Sequence, residues 1–222
     1  LGADGAEGRS PAAGPLLARR RGGSEIVAVG VSTGGPQALL SMLPSIPAAF
    51  GAPIVVVQHM PPLFTTNLAR TLAARCAIKV KEAENGETLK AGTAYIAPGG
   101  RQSRIALAAD AETKIVRVTD DPPENNCRPS VDYLFRSVAH LYYGRATGVI
   151  MTGMGCDGLK GCEALKRAGA IVLAQDEPSC AVYGMPKAVV DADLADSILP
   201  LGRLAPAIAD TVGLPGRSRA DA

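Results

Sequence analysis

The sequence predicts an α/β domain: a doubly wound, mostly parallel sheet with helices on both faces and one antiparallel hairpin. Two observations carry this. Short, almost continuously apolar runs rich in Val and Ile alternate with stretches of helical periodicity, the pattern of a parallel sheet buried on both sides. Polar and glycine-rich residues then gather just after those runs, where the carboxyl ends of parallel strands form ligand sites.

The elements follow in order. The apolar run 26–31 stops abruptly at Ser32, and Gly34, Gly35 and Pro36 follow. This reads as a strand, a tight turn and a helix over about 36–43, with Pro36 suited to the first helical position because its missing N–H has no partner there anyway. A second strand is predicted over 53–58 and a helix over 63–75, then a strand over 93–97. The stretches 103–109 and 113–119, joined by Asp110-Ala-Glu112, suggest the hairpin. A helix over 131–142 has Val131, Leu134, Phe135, Val138 and Tyr142 on its apolar face; Asp132, Arg136 and His140 share another face and read as solvated. Strands over 147–151, 170–175 and 197–199 alternate with helices over 159–168 and 202–212, and Gly169 is a natural stop for the first of these helices.

The organisation expected is a linker over 1–24, rich in Gly, Ala, Arg and Pro, one catalytic domain over 25–212 and a frayed tail over 213–222. The chain begins with Leu, which suggests a fragment with something upstream. Its 222 residues are 47% hydrophobic, enough for one sizeable core. A net charge of +2, with aromatics at 4% and no Trp, leaves no electrostatic footprint or stacking platform for nucleic acid. The five cysteines, at 76, 127, 156, 162 and 180, are odd in number and form no Cys-x-x-Cys pair. That argues against a disulfide framework or a zinc site and for a reducing cytoplasm. No apolar run approaches the ~20 residues of a membrane span, and no secretory signal is visible, so no membrane insertion is expected.

The chemistry is expected at the strand ends. Gly-Val-Ser-Thr-Gly at 30–34 satisfies Gly-x-Ser-x-Gly, the pattern of a nucleophile elbow. The same residues also fit a glycine-rich turn whose serine caps the helix or binds a phosphate, as in a nucleotide- or sugar-phosphate-binding module. Ser32 stands where a dinucleotide fingerprint needs its second glycine, and no Gly-Lys-Ser/Thr of a Walker loop follows. No cofactor or metal is called for. A serine nucleophile needs a base, and only two histidines exist, His59 and His140. His140 lies on the solvated face of its helix. His59 follows the second strand, beside the first strand's Ser32, and is the candidate base, with a pKa nominally ~6.5. Asp157, in a loop with three glycines, is the leading acid, although an Asp-Gly turn or a helix cap would look the same. Asp176 is the second candidate, and Asp120, Asp121 and Asp132 read as loop or surface carboxylates. Thr33 N–H is one candidate oxyanion donor, and the loop around Met154 would supply the other. The order Ser–His–Asp differs from the Ser–acid–His of α/β-hydrolases.

These motifs resemble a known family. Gly-Val-Ser-Thr-Gly-Gly-Pro at 30–36, Val-Gln-His-Met-Pro-Pro at 57–62, Ala-Tyr-Ile-Ala-Pro-Gly at 94–99, Arg-Pro-Ser-Val-Asp at 128–132, Met-Thr-Gly-Met-Gly-Cys-Asp-Gly at 151–158 and Tyr-Gly-Met-Pro at 183–186 look like the catalytic domain of the bacterial chemotaxis methylesterases, CheB-type. The likeness runs from about residue 25 to 212. It implies a catalytic triad of Ser32, His59 and Asp157, with oxyanion contacts from the backbone of Thr33 and Met154. It implies hydrolysis of glutamyl methyl esters on the cytoplasmic helices of methyl-accepting chemoreceptors, deamidation of receptor glutamines, and an amino-terminal receiver domain as regulatory partner. Nothing resembling a receiver is present in this sequence, so the resemblance fits an excised catalytic domain or a member without a receiver. A paralogue serving another signalling system would carry the same motifs. Cys156 stands where some members carry Asn.

Overall fold

Residues 23–212 are those described by the computed structural model of the chain. Within them the order is β1 (Ile26–Val31), α1 (Gly35–Met42), β2 (Ile54–Gln58), α2 (Phe64–Ala73), β3 (Lys79–Glu82), β4 (Thr93–Ile96), β5 (Gln102–Leu107), β6 (Lys114–Thr119), α3 (Val131–Tyr142), β7 (Ala146–Ile150), α4 (Leu159–Arg167), β8 (Ile171–Gln175), α5 (Gly184–Asp191), β9 (Ser197–Leu199) and α6 (Leu201–Val212).

Seven strands form one sheet in the order β3-β4-β2-β1-β7-β8-β9. Every pairing in it is parallel. β5 and β6 form the separate antiparallel hairpin. The alternation of side chains along a strand builds two cores from one sheet. Val27, Val29 and Val31 of β1 face a layer that includes Leu39, Leu72 and Ile208 from α1, α2 and α6. Ile26 and Ala28 face the opposite layer, with Leu134 and Phe135 of α3, Leu165 of α4, and Val116 of the hairpin. Leu134 and Phe135 are fully buried, each contributing about 1.5–3 kcal/mol of hydrophobic stabilisation relative to exposure.

The strand order places the site. From β1 the chain goes through α1 to β2 on one side; from β7 it goes through α4 to β8 on the other. The two connections diverge above β1 and β7, which opens a crevice at the carboxyl edge, the position where open α/β sheets bind ligands.

Two elements were not foreseen. β3 is a four-residue edge strand, Lys-Val-Lys-Glu, with one fully inward residue and no apolar run to announce it. α5 opens on Gly184 with Pro186 in its first turn, a sequence that reads locally as a loop. Gly169 has a φ of +85° and follows the end of α4 as expected. The linker over 1–24 lies outside the described residues except for Gly23 and Ser24, and the tail over 213–222 lies wholly outside them. Ser24 is already packed: its N–H donates to the Thr211 carbonyl at 2.8 Å and its hydroxyl meets Thr147 Oγ1 at 2.8 Å. No helix among the described residues is long and apolar enough to cross a membrane.

Candidate active site

Ser32 is the first residue beyond β1. Gly34 follows with φ +79°, a left-handed conformation that costs glycine nothing, and turns the chain into α1. Pro36 stands at the second helical residue. The Ser32 carbonyl is held from two sides, by Gly35 N–H at 2.8 Å and Gln58 Nε2 at 2.9 Å. The peptide is planar and trans, so fixing that carbonyl aims the Thr33 N–H the opposite way, off Gly35 and Gln58. Thr152 Oγ1 donates to the Thr33 carbonyl at 2.8 Å and holds the next peptide as well. An anion nest at this turn would use Gly35 N–H, which is already taken by Ser32.

The second wall is Gly153, which approaches Ser32 closely. A Cβ there would lie 2.8 Å from Ser32 Cβ and 2.3 Å from Met185 Sδ, so any side chain would have to displace Ser32 or Met185. Its carbonyl accepts from Gly184 N–H at 3.0 Å and Met185 N–H at 2.8 Å. The same planarity then turns the Met154 N–H away from α5. Among the described residues neither Thr33 N–H nor Met154 N–H donates to another protein group. Met154 itself is 71% exposed.

His59 follows β2, with its N–H donating to the Val31 carbonyl at 3.1 Å, so strand pairing sets it beside Ser32. Its Nε2 lies 2.7 Å from Asp157 Oδ2. Asp157 is 4% exposed and is surrounded by donors. Asn125 Nδ2 and Ser130 Oγ each donate to Oδ1 at 2.8 Å, Val131 N–H to Oδ2 at 2.7 Å and Asp132 N–H to Oδ1 at 3.2 Å. The last two are first-turn amides of α3, so the carboxylate also meets the positive end of a helix. Burial pushes the Asp157 pKa up; His59, Val131, Asn125 and Ser130 more than reverse it and hold it below the usual carboxylate range. Gly158, not Asp157, caps α4.

For His59, burial opposes the charged ring, but the Asp157 carboxylate and the Cys127 sulfur outweigh it and raise its pKa to about 9. That replaces the nominal ~6.5 expected for an unperturbed histidine. Nδ1, the other ring nitrogen, lies 3.7 Å from Cys127 Sγ. Among the described residues the Ser32 hydroxyl makes no hydrogen bond to the ring. The structure thus brings His59 and Asp157 into contact and sets Ser32 beside them without closing the last link. Donor atoms of His59, Cys127 and Asp157 lie within 4.8 Å of one another, a spacing metal sites also show. Within the group one ring nitrogen meets Asp157 Oδ2 and the other faces Cys127 Sγ.

Asp132 corrects an expectation. It is 1% exposed, not a surface carboxylate. Its Oδ1 accepts from Gly158 N–H at 3.0 Å and Gly161 N–H at 2.6 Å, tying α3 to the start of α4. Its pKa is raised by burial. Asp176 lies away from the ring, accepting from Ser179 N–H at 3.2 Å. His140 is exposed, as expected.

Sequence reasoning missed Gln58, Asn125, Cys127 and Ser130. Gln58 bridges the Ser32 and His59 carbonyls, at 2.9 and 3.1 Å. Asn125 and Asn126 both have positive φ, 53° and 58°, in a tight turn closed by reciprocal Glu124–Cys127 backbone hydrogen bonds of 3.1 and 2.8 Å. An Asn-Asn pair is a readable signal for such a turn. What the turn reaches is not readable.

Comparison with known proteins identifies the family. Residues 27–208 match the family model described as CheB methylesterase. The chain is 56% identical over 195 residues to a protein-glutamate methylesterase/protein-glutamine glutaminase of Desulfotalea psychrophila, covering 88% of this chain and 54% of that one. It is 52% identical over 189 residues to the protein of the same name from Trichodesmium erythraeum, covering 85% and 53%. The chain therefore spans about half the length of the curated relatives it matches. The crystal structure of the Thermotoga maritima CheB methylesterase catalytic domain superimposes with a TM-score of 0.81 at 41% identity, covering 84% of this chain and 98% of that domain. By fold, by motif order and by extent of match, this chain belongs to the CheB methylesterase family.

Proposed function

We infer that this domain is a serine hydrolase that removes methyl esters from glutamate side chains of chemoreceptors and deamidates receptor glutamines. The observation that carries this is the Asp157–His59 pair beside Ser32, with the Thr33 and Met154 N–H groups donating to no protein group among the described residues. In this reading Ser32 Oγ attacks the ester carbonyl while His59 Nδ1 takes its proton, because Nε2 is engaged by Asp157. The negative oxygen of the tetrahedral intermediate lies on Thr33 N–H and Met154 N–H, which are left without a protein acceptor. His59 then returns the proton to the departing methoxide, and methanol leaves an acyl-Ser32. Water, deprotonated by the same nitrogen, releases the glutamate. A glutamine side chain follows the same course with ammonia leaving.

Leu63 and Phe64, just past His59, are 77% and 60% exposed, and with Met154 they offer apolar surface that supports a protein substrate. The relatives' names supply methylesterase and glutaminase activity; the cytoplasmic helices of chemoreceptors, and a receiver domain as regulatory partner, come from the motif resemblance. The relatives' greater length leaves room for such a domain.

Methanol release from methylated receptor membranes tests the reading. Ser32→Ala is expected to lower turnover at least ~10³-fold, since binding and oxyanion contacts alone would remain. Near-normal release by that variant would remove Ser32 from the chemistry.

A further inference from the structure

His59 presents two ring nitrogens, and the chain covers both. Asp157 Oδ2 is 2.7 Å from Nε2, and Cys127 Sγ is 3.7 Å from Nδ1. The thiol has its own acceptor, because Cys127 Sγ donates to the Asn125 carbonyl at 3.3 Å. The sulfur lone pairs are then free to face the ring. The two-residue turn at Asn125-Asn126 places both partners at once: Asn125 Nδ2 on Asp157 and Cys127 on His59.

We propose that Cys127 is a positioning residue for His59, its sulfur accepting the Nδ1 proton on the side of the ring opposite Asp157 and keeping that nitrogen off the Ser32 hydroxyl. The inference rests on the reading of His59 as the base. Asp157 and Cys127 are the titratable groups that face the ring, and both favour its protonated form. With a pKa of about 9, roughly one ring in a hundred is free base at pH 7. Removing the sulfur takes away one of the two acceptors and frees Nδ1.

The test reads His59 directly. The chain has only two histidines, so ring ¹⁵N NMR with His140→Asn as the assignment control follows the titration of His59. Cys127→Ala is expected to lower its midpoint by about one pH unit or more. Cys127→Val, which leaves no cavity and removes the acceptor, is expected to match it, and Cys127→Ser, which keeps an acceptor, to stay near the wild type. The acid limb of the kcat/KM profile for methanol release should move with the midpoint, raising the rate at pH 7 about tenfold per unit with KM unchanged. An unchanged midpoint in folded Cys127→Ala and Cys127→Val, or equal shifts in all three variants, overturns the proposal. Methanol release persisting in Ser32→Ala would instead sink the hydrolase reading, while the NMR titration still decides what Cys127 does.

Discussion

Asp157 and Ser32 stand beyond the ends of adjacent parallel strands, yet the chain treats their side chains in opposite ways. Asp157 is buried among five donors drawn from three segments, two of them amides at the start of α3. The Ser32 hydroxyl is half-exposed and makes no hydrogen bond among the described residues, while the backbone around it is fixed by Gln58, Gly35 and Thr152. The Asp157 side is completed by the protein itself. The Ser32 side is held in its main chain and unpartnered in its hydroxyl, which is what the proposed attack on a substrate carbonyl requires. Desolvating a carboxylate is tolerable only with its charge fully met, whereas an oxyanion site filled by protein would have nothing left to offer.

The largest effect that would sharpen this contrast comes from Asp157→Asn. It keeps the shape but loses the charge that orients and supports the imidazolium, and turnover is expected to fall about 10³–10⁴-fold. A loss under tenfold, measured as methanol release on folded protein, would show that the acid side does not govern the base. Gly153→Ala attacks the open side. Its Cβ would press on Met185 Sδ and Ser32 Cβ, so overpacking is expected to cost about 1–3 kcal/mol in denaturant unfolding and to lower kcat more than it raises KM. Wild-type stability with wild-type turnover would mean the wall is softer than its geometry indicates.

The smallest effect is on pH-dependent stability. The His59 pKa is raised from 6.5 to about 9 in the folded chain. Its stabilisation is therefore fully present below about pH 6.5 and lost as pH rises through 9. Melting temperatures of the wild type and His59→Gln should differ most below pH 6.5 and converge near pH 10, a gap of about 2–4 °C for each kcal/mol involved. A constant gap across that range would mean the ring is not held as imidazolium.

Much of this was legible in the chain. Continuous Val and Ile runs and glycine-rich ends identified the main parallel strands, and the scarcity of histidine left His59 as the only histidine at a strand end. The elements that escaped lack a local signature. β3 becomes a strand because β4 offers it a parallel edge, and α5 becomes a helix because Gly153 accepts its first amides. Asp132 shares a helix face with Arg136 and His140, a periodicity that signals solvent, and α4 covers it instead.

The sequence by itself determined the order of the main strands and helices, the turn at Ser32 and the residue types that the proposed acyl transfer needs, because these depend on periodicity, backbone conformation and chemistry within a few residues. Only the tertiary structure decided how those residues are electrically set. The distance from Cys127 to His59 spans 68 residues of chain and that from His59 to Asp157 spans 98. The charge state of a buried ring depends on what surrounds it in space, and no local pattern reports that.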